Sequence, residues 1–394
     1  MKKESVEGLL PFFDPVRKTD FIDQEVFDSV TSSAGTLLVH SEDFRPEPEM
    51  RFEVALVFIG PATDASGDPV PGQWIREAFY RLKKVSPVMR IFDLGNMKTG
   101  SSFADTLFIL EEVCSSLLRM KSKTVFIGQD QELTRGIFNA LKEFENNINL
   151  VHIDSRIDVA QEGDPPGAPD YLGQIMEQEA AWLYNIAAIG YQSYFTDPKQ
   201  IKKLDELYFE HYRLGNLRNN LEETEPVLRD ADLVSFDLSA VRYSDLPAVK
   251  KGSPNGFFAE EACQLARYAG LSDRCNLFAL FGEFDPNERQ EPSSLFVAQM
   301  LWYYLDGILN RKHDYPVSEL DDYTKFAVAI DEIEFPIVFY FSEKSKRWWL
   351  EVVNPAAPAD DPGKVVVACS ASDYRKACNN EIPERWWINF KKIR

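Results

Sequence analysis

Cysteine is sparse in this chain, basic charge is in deficit and no long apolar run occurs, and each shortage removes a class of function. The five cysteines among 394 residues (Cys114, Cys263, Cys275, Cys369, Cys378) are scattered, odd in number and form no Cys-x-x-Cys pair. This pattern excludes a disulfide framework or a thiolate zinc site and suits reduced thiols in a cytoplasm. Lys and Arg number 43 against 63 Asp and Glu, a net charge of −20 with pI near 4.7. Repulsion of that sign excludes nucleic acid and anionic membrane surfaces as partners. No apolar stretch approaches a membrane span, and Met1 to Gly8 is too polar for a secretory leader.

What the chain does have is a hydrophobic content of 44%, enough to bury one large domain, or one domain plus an appendage. From about residue 50 to residue 312, short apolar runs alternate with amphipathic segments of helical length. Strands are expected at Val54 to Ile59, Arg90 to Leu94, Thr124 to Ile127, Leu150 to Ile153, Ile186 to Tyr191, Leu233 to Leu238 and Phe278 to Phe284. Helices are expected between them, among others over Ile75 to Lys84, Gln174 to Leu183, Asp205 to Tyr212 and Leu295 to Leu309. The alternation predicts an α/β fold, a three-layer, doubly wound and mainly parallel sheet covered on both faces.

From about Phe326 the pattern changes to a hairpin (Ile337 to Phe341, Arg347 to Val352), a Pro- and Asp-rich loop (Asn354 to Gly363), a strand at Val365 to Ala368, and a short helix around Tyr374 to Asn379. The expected division is an N-terminal extension over 1–45, the α/β domain over 46–320 and a C-terminal α+β appendage over 321–394. The appendage is too small to hold a core without packing on the main domain. Its tryptophan pairs, Trp348-Trp349 and Trp386-Trp387, read as that small core ahead of an exposed docking surface.

Four polar motifs fall where an expected strand runs out: Gly128-Gln129-Asp130-Gln131, Asp154-Ser155-Arg156-Ile157-Asp158, Ser235-Phe236-Asp237-Leu238-Ser239 and Gly282-Glu283-Phe284-Asp285-Pro286. The carboxyl ends of strands line the ligand crevice of an open α/β sheet, so these positions can converge. Taken alone, Asp154 and Asp158 are most simply a solvated loop with a helix cap; the other motifs in register shift the balance toward a site. Asp237, in an otherwise apolar strand, needs a partner, for which Arg156 is the obvious candidate. His152 reads as a hydrogen-bonded core histidine. Glu283 is balanced between a substrate contact and a strand end turning into a loop.

The first three motifs resemble the Gly-Gly-Asp-His, Asp-Ala-His-x-Asp and Ser-x-Asp-x-Asp motifs of the arginase, agmatinase and formimidoylglutamase superfamily. Phe92 to Asn96 resembles its Asp-x-Gly-Asn strand end, and Pro165 to Ile175 is most similar to a loop of the formimidoylglutamase branch. The resemblance implies an arginase-like fold and a pair of Mn²⁺ ions, held by two His and four Asp, that activate a bridging hydroxide against guanidino or formimino C–N bonds. Asp154, Asp158 and Asp237 match family ligands. Gln131 stands where one metal's His belongs, and Arg156 and Ser239 stand where the second metal has the His and Asp it does not share.

A guanidinium stays protonated and cannot ligate a metal. Set among three carboxylates, Arg156 would take over the charge of the missing ion, each pairing worth on the order of 4 kcal/mol before desolvation. The expectation is a family member that has lost its two-metal centre and acts as a binding or interaction module, with no cofactor required. Its remnant site of Asp154, Asp158, Asp237 and the Gln131 carbonyl would suit a weakly held Mn²⁺ or Mg²⁺. The alternative is a C–N hydrolase working with one atypical cation, with Glu283 touching substrate. Expected partners are a protein at the C-terminal appendage, a small cationic ligand among the carboxylates, or further copies of the chain.

Overall fold

The apolar runs fold into strands because their β-branched and aromatic residues fill both sides of a pleated surface, and the computed structural model places fourteen strands in two sheets among the described residues. It describes residues 5–31, 36–47, 50–165, 167–288, 290–316, 323–354 and 363–393. The strands are β1 (Phe13–Asp14), β2 (Leu37–Val39), β3 (Val54–Ile59), β4 (Ile91–Met97), β5 (Lys123–Gly128), β6 (Ile148–Ile153), β7 (Leu183–Tyr191), β8 (Glu210–Arg213), β9 (Leu233–Asp237), β10 (Leu277–Phe281), β11 (Thr324–Val328), β12 (Ile337–Phe341), β13 (Trp348–Val352) and β14 (Val365–Cys369). The larger sheet runs β1-β4-β3-β5-β10-β9-β6-β7-β8, with β2 also paired to β4. All its pairings are parallel except that of β1 with β4.

Alternation along each strand feeds two cores. In β3, Val54, Leu56 and Phe58 join a cluster under the helices Pro71–Arg81, Ala259–Leu271 and Gln290–Leu309. Ala55 and Val57 point the other way, into a cluster under Phe103–Arg119, Thr134–Leu141 and Tyr171–Gln178. The three-layer, doubly wound α/β expectation is met. Sheet order reverses at two places. The chain passes from β3 to β4 on one side and then to β5 on the other, and it runs outward from β6 through β7 and β8 before returning to β9. Such reversals open crevices at the carboxyl ends of the strands.

All seven expected strands are present, with ends moved by up to three residues. The helix expected over Asp205 to Tyr212 is not there. Asp197 caps an earlier helix, Pro198–Glu206, by accepting from Lys199 N at 2.8 Å, Tyr208 turns the chain with φ +55°, and the following Glu210–Arg213 pairs with β7 as an edge strand. The helix expected over Gln174 to Leu183 begins earlier, at Tyr171, and ends at Gln178, leaving Leu183 to open β7. The first 45 residues supply β1 and β2, which extend the main sheet through β4.

The C-terminal residues form an antiparallel sheet, β11-β12-β13-β14, backed by helices Ala371–Cys378 and Glu384–Lys392. Most of the Pro- and Asp-rich loop, 355–362, lies outside the described residues. Trp386 and Phe390 from the last helix stack at 4.7 Å inside a core with Phe339, Leu350 and Val352. Trp349 is buried on the other face and Trp387 is exposed, so the tryptophan pairs are mostly core.

This unit docks on the helix Thr224–Asp230 and the amino end of β7. Arg229 Nη2 donates to Cys369 O at 2.9 Å, and its guanidinium lies 4.5 Å from the Trp349 ring centroid. Asp230 accepts from Ala368 N at 2.7 Å, and Tyr184 Oη donates to Asn389 at 2.7 Å. Arg229→Ala removes the cation–π contact and a buried hydrogen bond. It is expected to cost about 2 kcal/mol and to speed amide exchange in β14 before β9, read by thermal unfolding and hydrogen exchange.

Candidate functional site

Parallel register creates the cluster. β6 and β9 pair His152 with Ser235 and Ile153 with Phe236, so the residues that follow, Asp154 and Asp237, leave the sheet side by side. Asp158 returns four residues later and is buried, with its backbone carbonyl accepting from Leu172 N at 3.1 Å and Gly173 N at 3.4 Å. Gln131 follows β5 in a single 3₁₀ turn, Gln131–Leu133, which Asp130 caps through Glu132 N at 3.0 Å.

Small donors make the hydrogen bonds to the carboxylates, with the Arg156 charge adding attraction to Asp154 and Asp158. Asp154 Oδ1 accepts from Ser155 Oγ at 3.2 Å, Arg156 N at 3.2 Å and Ser239 Oγ at 3.3 Å. Asp237 Oδ1 accepts from Ser239 N at 2.7 Å. Burial outweighs these bonds. It raises Asp154 to about 6 and, reinforced by the neighbouring Asp154 charge, raises Asp237 to about 7. Asp158 is pushed well above the carboxylate range by burial and then by Asp154 and Asp237.

Behind the acids lies a polar layer that spacing alone does not reveal. His152 Nε2 faces the Arg156 carbonyl at 2.9 Å, and Nδ1 faces Tyr171 Oη at 2.5 Å. A carbonyl only accepts, so Nε2 carries the proton and Nδ1 accepts from the tyrosine. Burial lowers the ring to about 4, which keeps it neutral. The core-histidine expectation holds, although His152, Asp154 and Asp158 do bring donor atoms within 4.8 Å of one another. Gln131 Nε2 donates to Ser235 Oγ at 3.1 Å and lies 3.4 Å from His152 Nδ1, while its buried Oε1 has no partner.

Side-chain direction bears on two expectations. Arg156 acts on the carboxylates only from a distance, its charge lowering Asp154 and Asp158 without an ion pair. Its guanidinium lies over the Phe195 ring, 4.1 Å from the centroid, and among the described residues it forms no ion pair with Asp154, Asp158 or Asp237. The aromatic face offers attraction without the cost of desolvating the cation. Asp237 is accordingly satisfied by Ser239. Glu283, balanced between a substrate contact and a strand end, is half exposed and pairs with Lys250 Nζ at 2.6 Å.

The fold has a counterpart among known proteins. The sequence profile of the Arginase family matches residues 55–305. The chain belongs to the arginase family. Its fold is similar to that of formiminoglutamase from Trypanosoma cruzi with Mn²⁺₂, at TM-score 0.57 and 16% identity, covering 66% of this chain and 94% of that one. It is likewise similar to formimidoylglutamase from Bacillus subtilis (0.58, 15% identity, 67% and 89% covered) and to arginase from Bacillus subtilis (0.54, 16% identity, 64% and 98% covered). No curated protein matches the sequence. Among the described residues no helix is long and apolar enough to cross a membrane.

The donor set can be weighed against the metal pair of this family. Three carboxylates and the unpartnered Gln131 Oε1 form an all-oxygen set that suits one hard cation. Beside them, Arg156 cannot ligate and Ser239 is already hydrogen-bonded to Asp154. Both His152 nitrogens are engaged. The residues fit one ion and do not fit two.

Because Asp237 is raised on folding, the folded state holds its proton more tightly than the unfolded chain, and stability falls as pH climbs from about 4 through 7. Asp237→Asn retains the acceptor for Ser239 N and removes that fall. In EDTA-treated protein the variant is expected to gain on the order of 2 kcal/mol at pH 8 and almost nothing at pH 4, read by thermal unfolding across that range.

Proposed function

We propose that this arginase-family chain is a non-hydrolytic binding module that has lost the dimanganese centre. The observation that supports the reading is Arg156, which the motif resemblance aligns with the second metal's histidine and whose guanidinium lies over Phe195. Without that ligand, and with Ser239 in place of a carboxylate, no bridging hydroxide is held between two ions. The three carboxylates are then a desolvated anionic pocket that gains from a small cationic occupant. The C-terminal unit, with Trp387 exposed on its last helix, is proposed as the surface for a protein partner. A reducing cytoplasm suits the five free thiols.

A second reading is favoured by the buried, unpartnered Gln131 Oε1. With Asp154, Asp158 and Asp237 it completes four oxygen positions for a single Mn²⁺ or Mg²⁺, which would make the chain a C–N hydrolase of atypical metal content.

Elemental analysis after Mn²⁺ loading and desalting separates the two. The binding-module reading expects less than about a tenth of an equivalent and no turnover of formimino or guanidino substrates; a full equivalent with turnover overturns it. The triple variant Gln131→His, Arg156→His and Ser239→Asp is expected to gain tightly held Mn²⁺. Failure to gain any would show that the backbone around the site has diverged along with its ligands.

A further inference from the structure

A second concavity opens at the other reversal of sheet order. Between the carboxyl ends of β3 and β5 lies a cleft of about 280 Å³, and its walls include Phe58, Ile75, Leu133, Leu238 and Phe284, all buried. It shares no lining residue with the Asp154, Asp158, Asp237 and Gln131 set. Gly60, at the end of β3, has φ +104°, and a Cβ there would meet nothing within 4 Å, so the rim is backbone with open space in front of it. A mostly apolar concavity with few polar groups, placed at a switch point, is the usual form of a small-molecule site.

One polar group in the wall has its orientation fixed. Asn96 lines the cleft and is 4% exposed. Its Oδ1 accepts from Arg76 Nη1 at 3.0 Å. An arginine can only donate, so the amide cannot be flipped, and Nδ2 is the atom left over. Nδ2 makes no hydrogen bond among the described residues. Arg76 is itself held in place: it is wholly buried, pairs with Asp93 at 2.9 Å, donates to Gln73 at 2.7 Å and lies over the Phe58 ring at 3.9 Å. The other inner polar group, Thr106, is already engaged, donating to Ser102 O at 3.1 Å and accepting from Gly100 N at 3.0 Å.

We infer that this cleft binds a small neutral molecule with an apolar body and a carbonyl oxygen, the carbonyl accepting from Asn96 Nδ2. The apolar walls take the body, and the fixed donor requires an acceptor. The exposed Asp130 carboxylate lines the same cleft, and the chain carries a net charge of −20, so a carboxylate acceptor is repelled where a neutral carbonyl is not. An ammonium group brings only donors to a donor. The cleft operates whether or not a cation occupies the carboxylates of the neighbouring strand ends.

Phenylacetamide, phenylacetate and phenethylamine, which share a ring and differ in head group, test the inference by ligand-observed NMR titration of the full chain. Phenylacetamide is expected to saturate with Kd below about 1 mM and the two charged analogues to bind at least about tenfold more weakly. Asn96→Asp keeps the acceptor for Arg76 and deletes the donor, and it should weaken the amide about tenfold. Val70→Trp, at a half-buried position of the wall, should abolish binding. Thermal unfolding checks that both variants are folded. The inference is overturned if the amide does not saturate, if a charged analogue binds as tightly, or if both folded variants bind the amide like the parent. Amide affinity unchanged between EDTA and Mn²⁺ separates this result from success or failure at the carboxylates.

Discussion

Three carboxylates held in one desolvated cluster, with no ion pair to any of them among the described residues, set the terms for everything around them. Parallel register forces Asp154 and Asp237 into adjacency, and the loop after β6 brings Asp158 back toward them. The surrounding chain responds with weak neutral donors: two serine hydroxyls and two backbone amides. Such donors offset part of the repulsion and leave the remainder as raised proton affinity. A protein free to optimise stability alone would replace these acids with apolar residues. Three buried acids at the carboxyl ends of neighbouring strands are therefore a cost to the fold that packing alone does not explain.

Much of the fold is legible in the chain because alternation and length are properties of whole segments. Strands such as Val54–Ile59 are buried on both faces and read as continuous apolar runs, and the capped amphipathic segment Phe103–Arg119 reads as a helix. What escapes is short or context-dependent. β1 and β2 are two and three residues long and exist because β4 offers them partners. β8 reads as helical until Tyr208 breaks the chain direction.

The site divides in a similar way. The positions of Asp154, Asp158, Asp237 and Gln131 follow from strand ends and motif register, since both are carried by the backbone. The directions of Arg156 and Glu283 are not, because each depends on a residue remote in sequence that offers a better environment: Phe195 for the guanidinium, Lys250 for the carboxylate. Tyr171 as the partner of His152 had no signal in spacing at all. Arginase-fold structures at 15 to 16% identity keep the same architecture because core positions accept many apolar side chains. A metal ligand is a single position with few acceptable substitutes, so fold and chemistry can part company.

The C-terminal sheet grips the helix that enters β9, and the carboxylates sit where β9 ends. Five residues at about 3.3 Å each make that strand a spacer of roughly 13 Å from first residue to last. Its length is fixed by hydrogen bonds to β6 and β10, so it cannot shorten to draw the two ends together. Nor can β9 slide to transmit movement from one to the other, because it is paired on both sides and a one-residue slip would turn every buried side chain to the wrong face. The C-terminal sheet and the carboxylate cluster are thereby held at a fixed separation along one strand, each insulated from movement of the other.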